Sequence, residues 1–214
     1  MNRIEELRAE LAAAETAATL EWLRREIEHR AVYRVRPGDP GILGKAPNTR
    51  YTWQIYLRRV MMDPQWMWHC AHQLHSRLPA GPRQFAACED AGVPLAQALA
   101  TLDGQPWISV KKERKKYGLH NWTEGRTTGA PIVLVDDVAG SQATLRSAAS
   151  KLRAFKLPLA NYYVTILNKT QGTHAENYLA NTQLISLFTC DDIAMSWKAY
   201  AERHGREPDF GPIY

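Results

Sequence analysis

The sequence predicts an α/β fold, a doubly wound and mostly parallel sheet preceded by an N-terminal segment of helix and strand. Three observations predict it. Apolar runs at "QFAAC", "WISV", "IVLVDD", "YYVTIL" and "LISLF" recur through the second half of the chain. They alternate with helical or looped stretches, as strands joined by crossover helices do. The chain has 214 residues, 45% of them apolar and 23% charged, enough for a well-filled core and outside the range of disordered or fibrous chains. No internal repeat or low-complexity tract interrupts the pattern. We divide the chain into an N-terminal segment, 1–60, and a core, 61–214, within one compact domain overall.

At the N-terminus, Ile4, Leu7 and Leu11, then Leu20, Leu23 and Ile27, have helical spacing beside charged stretches, which predicts helix with a break near Thr16. Residues 1–15 are alanine-rich and of mixed charge, so a solvated helix is the first expectation and an arm packing on a partner subunit the second. "RPGDPGILGKAPNT", 36–49, concentrates Pro and Gly and reads as a long loop. "YTWQIYL" reads as strand. Asp63 and Pro64 suit the N-cap and first position of an apolar-faced helix that "LPAGP" ends. Asp191-Asp192 reads as the start of a last helix.

Other features exclude more than they assign. No apolar stretch approaches the roughly 20 residues needed to cross a bilayer, and "MNRIEELRAE" is charged where a signal peptide is apolar, so the cytoplasm is expected. Cys70, Cys88 and Cys190 are odd in number and share no redox or metal spacing, so they read as reduced thiols. His69, His72 and His75 share a helix face near Cys70, but no carboxylate completes a metal set. The net charge of +5 favours an anionic partner without separating nucleic acid from a phosphorylated small molecule. Seven Trp residues, including Trp66 and Trp68, read as packing rather than as base-stacking platforms.

One stretch carries chemistry. "PIVLVDDVAGSQATLRSA" sets Asp136 and Asp137 at the end of an apolar run, where neighbouring side chains point to opposite faces and cannot both enter a covered sheet. They are expected where the strand ends, at the edge where open α/β sheets bind ligands. A loop of small residues comes next, then helical spacing at Leu145, Ala149 and Leu152. Such a loop can wrap a phosphate with the free N–H groups of the helix start. Gly140 is the expected left-handed residue, and Ser141 and Thr144 add hydroxyls.

"IVLVDDVAGSQATL" resembles the phosphoribosyl pyrophosphate (PRPP) signature of type I phosphoribosyltransferases. "ISVKKERKKYG" with the later "TEG" resembles the mobile catalytic loop of orotate phosphoribosyltransferases, "CEDAGVPLA" their pyrophosphate loop, and "SLFTCDD" their last strand. "YTWQIYLRRVMMDPQ" is similar to the segment before their first long helix. The likeness keeps its order across residues 16–195, which makes it far more specific than one motif. It implies the type I fold with residues 1–60 as a hood, PRPP and a nitrogenous base as substrates, magnesium as cofactor, and a homodimer.

The resemblance also implies roles. Asp136 and Asp137 would hold the ribose hydroxyls, directly or through Mg²⁺ and water, with Asp137 counted among the catalytic residues. Ala139, Gly140, Ser141, Gln142, Ala143 and Thr144 would take the 5′-phosphate, where the family has Thr-Thr-Gly-Gly in place of residues 140–143. Glu89, Asp90, Ala91 and Gly92 would form the pyrophosphate loop. Lys111, Lys112, Lys115 and Tyr117 would be the catalytic loop groups, whose cations stabilise charge on the leaving pyrophosphate. Lysine replaces arginine at the first loop position and gives up bidentate geometry. Arg36, Trp53 and Lys169 would meet the base. Two rivals stand beside this reading: a non-catalytic regulator of the same fold that binds a nucleotide or RNA through 111–116, and a transferase for an unusual base.

Overall fold

The computed structural model describes residues 3–44, 47–113, 121–170 and 182–208. Among them the chain divides at Val60–Met61 and again at Cys190–Asp191, so the last segment groups with the first 60 residues and 61–190 form a unit of their own.

In the first unit, α1 (Arg3–Glu26) runs unbroken through Thr16, where a break is expected from the sequence. The alanines around that threonine are the strongest helix formers, and Thr19 donates its hydroxyl back to the Glu15 carbonyl at 2.9 Å, so no cap competes with the helix. A π-helical turn, Ile27–Ala31, comes after it. β1 (Val32–Arg34) pairs antiparallel with β4 (Trp53–Ile55), Arg34 opposite Trp53. Inside the stretch read as a loop, β2 (Ile42–Leu43) pairs with β3 (Arg50–Tyr51). Asp191 and Asp192 lie in a turn. The last helix, α6 (Trp197–His204), begins five positions beyond Asp192 and takes its cap from Ser196, whose Oγ accepts from the Ala199 N–H at 3.1 Å.

Glu28 organises this unit. Its side chain is fully enclosed and accepts from the Ala194 N–H at 2.6 Å and from His204 at 2.7 Å, with Arg24 at 2.7 Å and Arg203 beside it. Burial drives the carboxyl up, but these hydrogen bonds and the two guanidinium groups outweigh it and hold Glu28 below its usual range. Arg34, pushed down to about 10 by burial, donates to the Glu28, Val32 and Ala194 carbonyls and lies 4.4 Å over the Tyr200 ring.

The short α2 (Arg58–Met61) leads into the second unit. There α3 (Pro64–His75) starts as its sequence indicates: Asp63 accepts from the Gln65 and Trp66 N–H groups at 3.1 and 3.2 Å, with Pro64 at the first position. The sheet runs β10 (Gln183–Thr189), β9 (Tyr162–Asn168), β8 (Ile132–Ala139), β5 (Gln84–Cys88), β6 (Ile108–Val110) and β7 (Thr123–Glu124). All neighbours are parallel except the edge pair β6–β7. Side chains alternate along the central strands. Ala86, Cys88, Ile132 and Leu134 pack in the cluster of α5 (Ala143–Ala154) with Leu145, Ala148 and Leu152. Phe85, Ala87, Val133 and Val135 point the other way, equally buried, toward the layer of α4 (Val93–Asp103) and α3. The sheet is covered on both faces, as a doubly wound fold requires.

The two neighbours of β8 accompany it for different lengths. β5 stays beside it only as far as Val135, whereas β9 continues to Ala139. After β5 the chain turns sharply across β8, and Gly92 sits so close that a β-carbon would collide with the Val135 carbonyl oxygen and lie 3.1 Å from the Cys88 backbone N and O.

Two outcomes are expected. Gly92→Ala should cost about 1–3 kcal/mol of stability by overpacking against backbone, read from urea unfolding. Glu28→Gln should cost about 3 kcal/mol at neutral pH. Because the folded value is lowered, the Glu28 contribution is complete above its ordinary value of 4.5 and is lost as pH falls through the lowered one, so the gap between wild type and variant should shrink below about pH 4.

Candidate active site

The acidic pair sits inside β8 rather than after it, since the strand runs on to Ala139. The reason is the unequal pairing: β9 continues the ladder, with Asp136 opposite Thr165, while the edge that β5 has left is open. Asp136 is 8% exposed and Asp137 half-buried. Asp136 Oδ1 accepts from the Asp137 N–H at 3.0 Å, and Asp137 Oδ1 from the Val138 N–H at 2.8 Å. Burial and the adjacent Asp137 charge together push the Asp136 carboxyl up to about 7. Burial and Asp136 likewise raise the Cys88 thiol, which stays un-ionised.

Such a pair invites a cation or a set of hydroxyl donors. Hard carboxylate oxygens at an open strand edge suit Mg²⁺, which binds through one or two carboxylates together with substrate oxygens and water. Among the described residues no group of three or more His, Cys, Asp or Glu side chains could hold a metal by itself, so a cation here would be shared with a ligand.

Beyond Ala139 the loop turns into α5. Its left-handed residue is Gln142, with φ of 56°, and not Gly140, beside which an added β-carbon would meet nothing. The left-handed residue immediately precedes the helix, as its N-cap. The Gln142 side chain turns inward to 3% exposure, its amide enclosed near the Tyr163 hydroxyl without completing a hydrogen bond of good geometry. The loop face is thereby free of the glutamine side chain, and no side chain caps α5. Its first N–H groups, with Thr144 half-buried beside them, lie at a helix start, the kind of place where backbone donors can meet an anion.

The lysine segment meets this helix. Lys111 and Lys112 leave the end of β6, and the Lys111 N–H donates to the Trp122 carbonyl at 2.9 Å, closing the base of the 111–122 connection. The Lys111 ammonium is buried in an ion pair with Glu124 of β7, whereas Lys112 is exposed. Lys151 of α5 donates to the Lys111 and Lys112 carbonyls at 2.6 and 2.8 Å and lies 4.5 Å over the Trp122 ring. A cavity of about 230 Å³ lies between, lined by Cys88, Lys111, Lys112, Thr144, Ser147 and Lys151 among others. Lys115 and Tyr117 fall outside the described residues.

The structure thus brings Asp136, Asp137, Ala139–Thr144, Lys111 and Lys112 to one end of the sheet. Glu89, Asp90, Ala91 and Gly92 join them through the Gly92 approach to Val135. Glu89 accepts from the Ser109 hydroxyl at 2.8 Å, and Asp90 is exposed. Lys169 lies just past β9 and donates its N–H to the Ala139 carbonyl at 2.8 Å. Arg36 and Trp53 belong to the first unit, at one end of the β1–β4 ribbon. There Arg36 lies 5.6 Å over the Trp197 ring and lines a cavity of about 470 Å³ with Tyr33, Asp39 and Trp197. Lys151, Ser147 and Glu124 were missed from sequence. The signal for the first two was present, because Thr144, Ser147 and Lys151 recur at the spacing of one helix face.

No protein-family model matches the chain. Solved structures share its architecture. Mycobacterium tuberculosis orotate phosphoribosyltransferase aligns with a TM-score of 0.65 at 15% identity, over 81% of this chain and 98% of that one. The adenine phosphoribosyltransferase of Trypanosoma brucei aligns at 0.55 and 15%, over 80% and 81%. The fold is therefore that of the type I phosphoribosyltransferases. Among curated proteins the chain is 33% identical over 93 residues to the orotate phosphoribosyltransferase of a Nocardioides species, 43% of this chain and 52% of the relative. It is 28% identical over 165 residues to that of Methanosarcina acetivorans, 74% of this chain and 84% of the relative. The matched stretch spans about half the length of the first relative and most of the second. By sequence the chain is similar to orotate phosphoribosyltransferases over these stretches.

Lys151→Met should free the stem of the 111–122 connection. Loss of two charge-assisted hydrogen bonds, each about 1.5–3 kcal/mol, predicts that the Lys111 amide exchanges at least about tenfold faster. Hydrogen exchange resolved at that amide checks it.

Proposed function

We propose that the protein transfers the phosphoribosyl group from PRPP to a nitrogenous base, orotate first among them, with release of pyrophosphate and with Mg²⁺ as cofactor. The further expectation is a cytoplasmic homodimer. The observation that carries this reading is the partly buried acidic pair of β8, close to the strand end, with the uncapped start of α5 just beyond it. One molecule with a phosphate and a vicinal diol satisfies both.

The chemistry is argued from the placement. The N–H groups at the start of α5 hold the 5′-phosphate, and the inward turn of Gln142 supports this in spite of the changed loop sequence. Asp136 and Asp137 accept from the ribose hydroxyls and hold the sugar in one orientation, which turns attack by the base into a near-unimolecular step. Asp136 and Asp137 would hold Mg²⁺, which when bound would supply charge neutralisation for the pyrophosphate. The bond from the anomeric carbon to pyrophosphate breaks as the base nitrogen attacks, and negative charge grows on the leaving oxygens. Lys112, exposed beside the cavity, is the described cation suited to meet that charge. Lys111 contributes by holding Glu124 and the stem of the connection. No described helix is long and apolar enough to cross a membrane.

Pyrophosphate release from Mg-PRPP over a panel of pyrimidine and purine bases, with a no-base control, tests the reaction and names the base. Asp137→Asn should lower turnover at least about a hundredfold, a loss of about 2.7 kcal/mol in barrier stabilisation, with an unchanged melting temperature. Undiminished turnover in that variant would overturn the assignment.

A further inference from the structure

The backbone changes partners where β6 ends. Cys88 of β5 lies opposite Val110, and the Val110 carbonyl accepts the Glu89 N–H at 3.1 Å, the last bond before the chain after β5 turns toward the Gly92 approach to β8. The carbonyls of Lys111 and Lys112 come after the end of β6, so they need partners of another kind. Lys151 of α5 serves both, at 2.6 and 2.8 Å, with its ammonium 4.5 Å over the Trp122 ring. Its helix is fixed to the sheet by Leu145, Ala148, Ala149 and Leu152, all buried, so the half-buried Lys151 reaches out from the margin of a packed face. An ammonium has three donors, and two carbonyls and a ring face engage this one. Lys151 therefore acts on its surroundings through the backbone that it holds.

Two lysines share that backbone. Lys111 is buried in its ion pair with Glu124, whereas Lys112 is exposed and lines the cavity of about 230 Å³ together with Thr144 and Ser147. Burial and the Asp137 charge push the Asp136 carboxyl up, and the Lys112 charge acts against them, so Lys112 is within electrostatic range of the acidic pair. We propose that Lys151 is a positioning residue: it fixes the Lys112 backbone, and so holds the Lys112 ammonium where it meets the charge of pyrophosphate. A lysine side chain is long and flexible, and its charge stabilises an anion best when its base is already in place. The inference rests on the proposed transfer reaction only for the identity of that anion.

The test is a double-variant cycle on the full chain, read by calorimetric titration with inorganic pyrophosphate in Mg²⁺ buffer. Lys112→Met should weaken binding about tenfold, the loss of one charge-assisted contact. Lys151→Met, which keeps an apolar stem and removes the ammonium, should weaken it about fivefold by acting through Lys112. Adding Lys151→Met to Lys112→Met should then change the affinity by less than about twofold. If Lys151→Met does not fold, Lys151→Gln, whose shorter arm falls short of the two carbonyls, takes its place with the same pattern expected. Losses that multiply in the double variant would show that Lys151 acts independently of Lys112 and overturn the proposal. So would wild-type affinity in the Lys151 variant, or no binding of pyrophosphate by the wild-type chain. The kcat of base-dependent pyrophosphate release should repeat the pattern. If no base turns over while the binding pattern holds, the transfer reading fails and the positioning of Lys112 stands.

Discussion

Two carboxylates on adjacent residues, one of them enclosed, form the constraint around which the second unit is arranged. Burial and its neighbour push the Asp136 carboxyl up to about 7, the kind of perturbed group that clusters at functional sites. The unequal lengths of its neighbours produce the site. β9 supplies the backbone partners that hold β8 extended past the pair, and the early end of β5 opens the other edge. Gly92 is drawn into the same arrangement, because the chain leaving β5 has to cross the β8 backbone with no room for a side chain.

Positive charge is distributed around this pair by structure rather than by abundance. A net charge of +5 says little, since Lys111 spends its charge on Glu124 and Lys151 on two carbonyls and the Trp122 ring. Those engaged lysines form the two ends of the 111–122 connection and join them to α5. The first unit is governed by a different buried acid. Glu28 gathers α1, the Ala194 backbone and α6 through hydrogen bonds that a water-exposed carboxylate would not need.

Much of the sheet was legible because its strands are local apolar runs, and α3 because Asp63 and Pro64 act within three residues of themselves. Local chemistry misled where a long-range partner decided the outcome. Asp191 and Asp192 have the composition of a cap, but Ser196 provides it. Gly140 has the freedom for a left-handed turn, yet the chain spends that conformation on Gln142, whose side chain finds an enclosed place near Tyr163. Thr16 has the composition of a break, but nothing nearby competes for the backbone.

What the sequence determined by itself is the set of parts: an α/β sheet, an acidic pair at the end of an apolar run, a loop leading into a helix, and a lysine cluster between two strands. Their order along the chain carries the likeness to phosphoribosyltransferases, because motif order is a property of sequence. Tertiary structure alone decided how those parts meet. How far β9 outlasts β5 beside β8, which lysines are spent on internal partners, and which stripe of α1 is buried all depend on contacts between residues tens of positions apart. Such contacts are set by sheet register and packing, which no local pattern encodes.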